Sequence, residues 1–475
     1  MRPRSSRRGR ASRRVTSASC RAPRGRAGRL GPQRLHLKTQ STSAANSRFI
    51  PAPRSDPNGP ASKEATSEET LMRLPVTALA AALACATILA GPARAADPIK
   101  IGVSGPFTGG SSSMGVSMRD GVRLAVQEIN QKGGVLGRQL QIVERDDEAK
   151  NEVGAQVAQE LINKEKVVAT LGFINTGVAL AAQRFYQEAE IPVINNVATG
   201  TIITNQFNPP DYDANYVFRT SAYDVLQAGM MADEAITRGF KKIAILADST
   251  NYGQLGREDL EKYLKTKGVT PVTVEKFNIK DVDMTPQLLK SQAAGADVIL
   301  AYGIGPELGQ IANGMAKLGW KVPMITSWPS SMQSFIDIAG PNGNGVTMPQ
   351  TFIEDKTLPR RKAFLEGYYA TYKVSKIPTP VAGAQGYDSV YLLAAAIKQA
   401  GGTDGPKIRA ALEDLKEKVE GVVTTYDHPF TKTDHNAITR NMVVFGKVQD
   451  GRIVYAKDED AKNAGVVRMK EKASN

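Results

Sequence analysis

A strand–helix–strand pattern between residues 98 and 147 constrains the fold of this chain more than any other stretch. A short apolar strand begins at Ile99, a loop rich in Gly, Ser and Thr follows, and apolar residues then recur at helical spacing over Met118–Ile129. Gly133 and Gly134 are typical of residues that end a helix, and a second apolar strand follows them. This order predicts a right-handed crossover unit in a parallel sheet.

The loop from Ser104 to Gly115 follows the first strand, where parallel sheets place their ligands. It contains no Gly-x-Gly-x-x-Gly sequence, and Pro106 stands where a dinucleotide-binding turn brings its backbone close to pyrophosphate. Asp146 and Asp147 are either ribose-binding acids or an ordinary solvated strand end, and the second interpretation is favoured. The loop suits a small solute better than a phosphate.

Residues 1–71 carry sixteen Lys or Arg against four Asp or Glu and show no apolar periodicity. Such a composition cannot bury enough surface to offset chain entropy, so it predicts a disordered basic extension. A nucleic-acid-binding arm is one interpretation of it. The other is a start codon assigned upstream of the native one, and the segment that follows favours this second interpretation.

Residues 72–95 have the pattern of a secretory signal peptide. A positive start at residues 72–73, an apolar run over Leu74–Leu89 and a small-x-small cleavage site at residues 93–95 follow one another. The apolar run is short for a membrane span. We therefore expect the native product to begin at the methionine of this segment, and the exported protein to begin at Ala96 and reside in the periplasm.

The net charge of +14 arises entirely ahead of Ala96, because the 380 residues from there onward contain 43 basic and 43 acidic side chains. A neutral chain lacks the electrostatic footprint of nucleic-acid binding. Both cysteines, Cys20 and Cys85, also precede Ala96. The exported chain is thus expected to have no disulfide, no cysteine nucleophile and no thiolate metal ligand.

The stretches SGPFTGGSSSMG (104–115) and DGVRLAVQEINQKGGVLGRQLQIVERDD (120–147) closely resemble the start of the leucine/isoleucine/valine-binding proteins. The resemblance continues through 172–204, 216–253 and 295–319 and fades towards the C-terminus. These proteins are periplasmic solute-binding components of ABC importers. The resemblance implies a monomeric receptor that passes a small solute to an inner-membrane permease, with no cofactor, metal or nucleic acid.

The fold implied by this family is α/β, with two doubly wound α/β lobes joined by a hinge of several crossings, the type I periplasmic binding protein fold. The size of the exported chain also predicts two domains. By resemblance, the N-terminal lobe comprises residues 96–220 and 347–422, and the C-terminal lobe comprises residues 221–346 and 423–475. The crossings are expected at the boundaries between these ranges, and hinge closure around a ligand is a known use of this architecture.

Four residues of the first lobe are expected at the carboxylate end and the side chain of the ligand. Thr176 matches the family's carboxylate-binding serine, at a helix start where unpaired N–H groups favour an anion. Asn175 precedes it, and the alternative for both residues is that they only cap the helix. Ser113 and Met114 match a position that contacts the ligand's side chain.

Val197, Ala198 and Thr199 follow the next strand, where the family supplies a backbone carbonyl and a Thr hydroxyl to the ligand's ammonium group. Neutral dipoles would thus bind a zwitterion without a buried ion pair, whose desolvation is costly. The alternative is an ordinary strand-to-helix turn.

The second lobe is expected to close over the ligand with Tyr252, and Gly305 follows a later strand of that lobe. Trp328 stands where the family has an acid that helps hold the ammonium, so the pocket is expected to be more apolar and to suit an aromatic or aliphatic carboxylate. Core packing is the alternative for Trp328. Gln385, which precedes Tyr387, completes the set.

The sequence predicts a non-enzymatic receptor for a branched-chain amino acid or a similar small carboxylate. Alternatives are a receptor for an aromatic carboxylate or amide-type solute, an envelope α/β enzyme, and a ligand-sensing regulator, against which the signal peptide argues. No Gly-x-Ser-x-Gly nucleophile motif is found. His428 and His435, with Asp427 and Asp434, are interpreted as a solvated turn and not as a metal site.

Overall fold

The computed structural model describes residues 96–471, and the predicted basic extension and signal peptide lie outside them. Strands and helices largely alternate over residues 99–350, as the sequence predicts. The first lobe opens with β1 (Ile99–Gly105), α1 (Ser112–Gln131), β2 (Leu140–Asp146), α2 (Asn151–Glu160), β3 (Ala169–Gly172), α3 (Thr176–Glu188), β4 (Val193–Asn195) and β5 (Val217–Arg219). Within residues 96–471, no helix is both long and apolar enough to cross a lipid bilayer.

The second lobe follows directly and begins with a helix. Its elements are α4 (Asp224–Thr237), β6 (Ile243–Asp248), α5 (Asn251–Thr266), β7 (Thr273–Phe277), α6 (Thr285–Ala293), β8 (Val298–Tyr302), α7 (Gly305–Lys317), β9 (Met324–Thr326), α8 (Gln333–Ala339) and β10 (Thr347–Gln350). The chain then adds α9 (Pro359–Tyr372), α10 (Pro380–Ala400), α11 (Gly405–Glu413), β11 (Val419–Glu420), β12 (Thr425–Tyr426), β13 (Val444–Gln449), β14 (Arg452–Tyr455) and α12 (Asp458–Lys462).

Each lobe is built on its own sheet. The first sheet has the order β2-β1-β3-β4-β5 and is parallel throughout. The second has the order β14-β13-β10-β9-β8-β6-β7, and β13 alone runs opposite to the rest, antiparallel to both β10 and β14. Both sheets are doubly wound, because the strand order reverses on either side of β1 and of β6. The predicted fold class is confirmed.

Helices α1 and α10 pack against each other in the first lobe at positions without side chains. A Cβ on Gly121 would overlap the Gly383 carbonyl, and a Cβ on Gly386 would overlap the Met118 carbonyl. Glycine is therefore required where the two backbones meet. Because α1 starts directly after β1, this contact fixes the loop that reaches the cleft between the lobes.

The chain crosses between the lobes after β5, after β10, and between Asn436 and β13. The predicted boundary at residue 347 is displaced, because β10 pairs with β9 and β13 and belongs to the second sheet. The predicted boundary at Val422 is displaced further, because Asp388 of α10 still binds the backbone N–H groups of Val422 and Val423. Asn436 then pairs with Arg219 at the end of β5, so the third crossing lies beyond it.

Near the C-terminus, β13 and β14 form an antiparallel hairpin. Gly451 lies in its turn with a φ of 73°. Gly446 lies inside β13. A Cβ there would approach Cγ of Gln350 to 2.8 Å and Cγ2 of Ile453 to 2.9 Å, so packing explains this glycine.

Candidate functional site

Ten of the eleven sequence-predicted site residues lie beyond the carboxyl ends of strands, where the two lobes face each other. In the first lobe these are Ser113 and Met114 in α1, Asn175 and Thr176 at the start of α3, and Val197, Ala198 and Thr199 after β4. In the second lobe they are Tyr252 in α5, Gly305 at the start of α7 and Trp328 after β9. The parallel register of both sheets places these loops at one cleft.

The cleft is closed by a few contacts between the lobes, here called the mouth contacts. The Asn151 side-chain amide donates to Oδ1 of Asn251 across 3.4 Å. The Thr201 hydroxyl donates to Oδ2 of Asp259 across 2.7 Å. A Cβ on Gly177 would overlap the Asn251 side chain, so α3 and α5 approach each other closely here. The structure thus has the closed arrangement of a clamshell.

The start of α3 presents donors to this cleft. Asn175 does not cap the helix with its side chain, which instead donates from Nδ2 to the Ser111 hydroxyl at 3.2 Å. Oγ1 of Thr176 accepts from the Gly200 N–H at 3.2 Å, which leaves the hydroxyl hydrogen available to donate. The side chain of Asn175 thus makes no capping hydrogen bond to α3, and the helix-capping alternative is wrong for this residue. The N–H groups of the first turn keep their partial positive charge for an anion.

The segment after β4 is tied to the hinge through its carbonyl groups. The Ala198 carbonyl accepts from the Ser221 hydroxyl at 3.0 Å. The Thr199 carbonyl accepts from the Asp224 N–H at 2.9 Å and from Nη1 of Arg219 at 3.0 Å. These bonds engage the Ala198 and Thr199 carbonyls and do not involve the Thr199 side chain or the Val197 backbone.

Tyr252 and Trp328 form the apolar side of the second lobe. Tyr252 is 5% exposed, and its ring lies 4.9 Å from that of Tyr302. Burial raises the pKa of Tyr252 well above its ordinary value, so its hydroxyl remains a donor at neutral pH. Trp328 is buried in the same apolar cluster as Tyr252 and Val197. Trp328 can therefore pack in the core and also form part of the cleft wall.

Several buried polar atoms around the cleft have no hydrogen-bond partner within residues 96–471. They are Oγ of Ser113, Oδ1 of Asn175, Oδ2 of Asp224, Oη of Tyr252 and Oγ of Ser327. Leaving a buried polar atom unpaired costs about 1–3 kcal/mol. Both lobes contribute to this set, which is what a site for a polar solute between them requires.

Asp224 is the residue that sequence reasoning missed. It is fully buried as the first residue of α4, directly after the first crossing. Its Oδ1 accepts from the Tyr302 hydroxyl at 2.7 Å. Burial raises the pKa of Asp224 to about 6, so the group is largely ionised at neutral pH. The signal available in the sequence was an acid at the first helical position after a lobe crossing.

Two predicted residues have other surroundings than expected. A Cβ on Gly305 would lie 2.9 Å from Oγ of Ser334, so this glycine faces its own lobe and offers the cleft only its backbone. Gln385 lies in α10 at the hinge and donates from Nε2 to the Thr220 carbonyl at 3.2 Å and to the Thr351 hydroxyl at 3.0 Å. It therefore joins the first two crossings.

Arg219 joins the hinge to the segment after β4. Its side chain is 1% exposed, and all five of its N–H donors meet neutral oxygen acceptors, on Thr199, Gly200, Thr204 and Asn436. Burial lowers the pKa of Arg219 to about 10, which still leaves it protonated at neutral pH.

The two C-terminal histidines do not form one cluster. His428 is exposed, and its Nδ1 lies 2.8 Å from Oδ1 of Asp427, as a solvated turn predicts. His435 is 3% exposed, stacks on Phe218 and has Nδ1 2.9 Å from the Val217 carbonyl, so the prediction of a solvated turn is wrong for this residue. Over residues 96–471, no group of three His, Cys, Asp or Glu is arranged to hold a metal ion.

Comparison with known proteins gives one consistent result. A model of the periplasmic binding protein family matches residues 98–452. The leucine-, isoleucine-, valine-, threonine- and alanine-binding protein of Pseudomonas aeruginosa is 28% identical over 67% of this chain and 83% of its own length. A type 1 periplasmic binding protein from Bordetella pertussis is 27% identical with a TM-score of 0.68, over 76% of this chain and 99% of its own. The branched-chain amino acid transporter substrate-binding protein from Streptococcus pneumoniae, solved with isoleucine, is 25% identical with a TM-score of 0.66, over 75% of this chain and 97% of its own.

Proposed function

The chain belongs to the periplasmic binding protein family, and we propose that it is the substrate-binding component of an ABC importer. In this proposal the two lobes close on a branched-chain amino acid or a similar small carboxylate, and the closed protein delivers it to a permease in the inner membrane. The periplasmic location and the monomeric state belong to the same proposal. The family match and the predicted signal peptide support the location.

The observation that carries the choice of solute is the pairing of an anion site with a buried acid. The uncapped start of α3 and the Thr176 hydroxyl suit a carboxylate. Asp224 offers an ionised oxygen without a partner in the described chain, at a point where its own N–H binds the Thr199 carbonyl. A zwitterion satisfies both ends, because its carboxylate and its ammonium carry opposite charges.

The expected affinity follows from the number of these bonds. Hydrogen bonds to charged groups contribute roughly 1.5–3 kcal/mol each. Micromolar affinity requires about −8 kcal/mol. Three such bonds and the burial of an apolar side chain against Tyr252 and Trp328 are therefore sufficient for micromolar binding.

An aromatic carboxylate is the second candidate, and Trp328 favours it. Trp328 is 2% exposed and stands where the related proteins are expected to have an acid. A ligand without an ammonium group would, however, leave Oδ2 of Asp224 buried and without a partner. The two candidates therefore differ in whether the Asp224 carboxylate is used.

The test is calorimetry on the purified protein with leucine, isoleucine, valine, leucine amide and benzoate. We expect one-to-one binding of at least one branched-chain amino acid, weaker binding of the amide and no turnover of any ligand. Tight binding of benzoate without binding of the amino acids would replace the first candidate by the second. Mass spectrometry of solute released from the native protein would identify a ligand outside this panel, and a solute without a carboxylate group would overturn both candidates.

A further inference from the structure

The C-terminal tail, residues 456–471, runs from the second lobe to the first. It starts beside the second sheet, where the Ala456 N–H donates to the Phe445 carbonyl at 2.8 Å and Lys457 pairs with Glu234 at 2.8 Å. The tail follows residue 452, at which the family match ends. It is thus a part of this chain for which the family alone implies no role.

The far part of the tail is attached to the first lobe. The Arg468 carbonyl accepts from the Thr424 hydroxyl at 2.8 Å, and the Ala464 carbonyl accepts from Nη1 of Arg361 at 3.4 Å. Thr424 lies beside the β11–β12 pair, and Arg361 lies in α9 of the same lobe. The tail is therefore a fourth passage of the chain between the lobes, after the three crossings described above.

Lys470 attaches the end of the tail through three polar contacts. Its side chain is only 13% exposed. Its ammonium group donates to the Pro429 carbonyl at 2.8 Å and to the Asn436 carbonyl at 2.7 Å, and it pairs with Oδ2 of Asp434 at 2.7 Å. All three ammonium donors have an acceptor, which is the condition under which a lysine is buried this far.

Asn436 connects this attachment to the ligand site. Its Oδ1 accepts from Nε of Arg219 at 2.9 Å. Nη1 of Arg219 donates to the Thr199 carbonyl at 3.0 Å and to the Gly200 carbonyl at 2.7 Å. Three consecutive polar links therefore lead from Lys470 to the segment that follows β4.

From this arrangement we propose that the C-terminal tail holds the ligand loop, residues 197–204, in its binding geometry, with Lys470 as the positioning residue and Asn436 and Arg219 as the links. Lys470 contacts no ligand in this scheme. It fixes the backbone of Asn436, which orients Arg219, which in turn holds the carbonyls of the loop. The expected effect of the tail on ligand binding rests on the proposed function. The expected effect of the tail on the mobility of the loop does not depend on any ligand.

The test compares Lys470→Met with Lys462→Met. Both substitutions remove one charge from the same tail, but Lys462 is exposed. Hydrogen exchange of the ligand-free protein is measured at residues 198–204. We expect the amides there to exchange at least about threefold faster in Lys470→Met, because the local opening becomes easier, and at the wild-type rate in Lys462→Met. Equal exchange at these amides in wild type and Lys470→Met would overturn the proposal, and so would equal acceleration by both substitutions.

Asn436→Ala separates a relay from a local effect. This substitution keeps the backbone carbonyl that Lys470 binds but removes the link to Arg219. The double variant with Lys470→Met and Asn436→Ala should then exchange at residues 198–204 at the same rate as the single variant Asn436→Ala. If Lys470→Met accelerates exchange further in the Asn436→Ala background, the relay is refuted.

Binding kinetics give a second measurement, with the amino acid that the wild type binds best. Lys470→Met should accelerate ligand dissociation by about three- to tenfold at an unchanged association rate. The reason is that a loop that leaves its binding geometry more often makes the bound complex less stable. An unchanged dissociation rate would refute the effect on binding. If the wild type binds no ligand of the panel, the proposed function fails, while the exchange experiment still decides on the tail.

Discussion

Replacing Asp224 with Asn tests the assignment of the ammonium site with almost no change in shape. The amide oxygen can still accept from the Tyr302 hydroxyl, as Oδ1 does now. The other oxygen, which has no partner elsewhere in the described chain, is replaced by an amide nitrogen. A charge-assisted hydrogen bond worth roughly 1.5–3 kcal/mol is lost, so leucine should bind about 10- to 150-fold more weakly.

The same substitution should stabilise the protein in the absence of ligand. Burial raises the pKa of Asp224 from 3.8 to about 6, so the folded state binds this proton more tightly than the unfolded state. Stability is therefore lost as the pH rises from 3.8 through about 6. The cost at pH 7 is at most about 3 kcal/mol, at 1.36 kcal/mol per pKa unit. Urea unfolding should show Asp224→Asn to be more stable than wild type at pH 7, with the difference largely gone at pH 4.

Ligand binding should follow the ionisation of this carboxylate. With a pKa of about 6, the ionised fraction falls roughly tenfold between pH 7 and pH 5, and the affinity for leucine should fall by a similar factor. Calorimetry at both pH values measures this change, and Asp224→Asn is the control that should lose it. Leucine affinity that is equal in the variant and the wild type, or equal at the two pH values, would refute Asp224 as the ammonium partner.

Three other properties of the site can be measured directly. Thr176→Ala should weaken all carboxylate ligands by about tenfold but affect a ligand amide less, because one donor to the carboxylate is lost; calorimetry with leucine and its amide checks this. Trp328→Ala should change the order of affinity among leucine, valine and benzoate, because it alters the apolar wall, and an unchanged order would exclude Trp328 from that wall. X-ray scattering should show a smaller radius of gyration at saturating ligand, and an identical profile would contradict closure.

The sequence was sufficient to predict the fold class and the elements that have a clear local pattern. Apolar spacing gave the first strand–helix–strand unit. The site residues after β3, β4 and β6 were predicted from the resemblance to the leucine/isoleucine/valine-binding proteins, and they lie at the carboxyl ends of parallel strands, where such sheets bind ligands. The fold class is confirmed by both sheets. The roles of the individual site residues remain predictions.

What the sequence did not predict depends on contacts distant along the chain. β10 looks like a loop leading back to the first lobe, and only its pairing with β9 and β13 assigns it to the second sheet. Residues 423–436 lack a periodic pattern, so their attachment to Asp388 and Arg219 was not visible. Asp224 has the appearance of an ordinary acid in a first helical turn, because its burial depends on Tyr302, 78 residues away.

The mouth contacts have a consequence for how the receptor signals its occupancy. One hydrogen bond joins Asn151 to Asn251 and another joins Thr201 to Asp259, and both lie near solvent. A hydrogen bond contributes about 0.5–1.5 kcal/mol net between neutral groups and roughly 1.5–3 kcal/mol to a charged group such as the Asp259 carboxylate, so the two bonds together favour closure by only a few kcal/mol. The solute must supply the remaining free energy. Closed molecules therefore become abundant mainly when solute is present, and a transporter that responds to the closed surface avoids spending ATP on empty receptors.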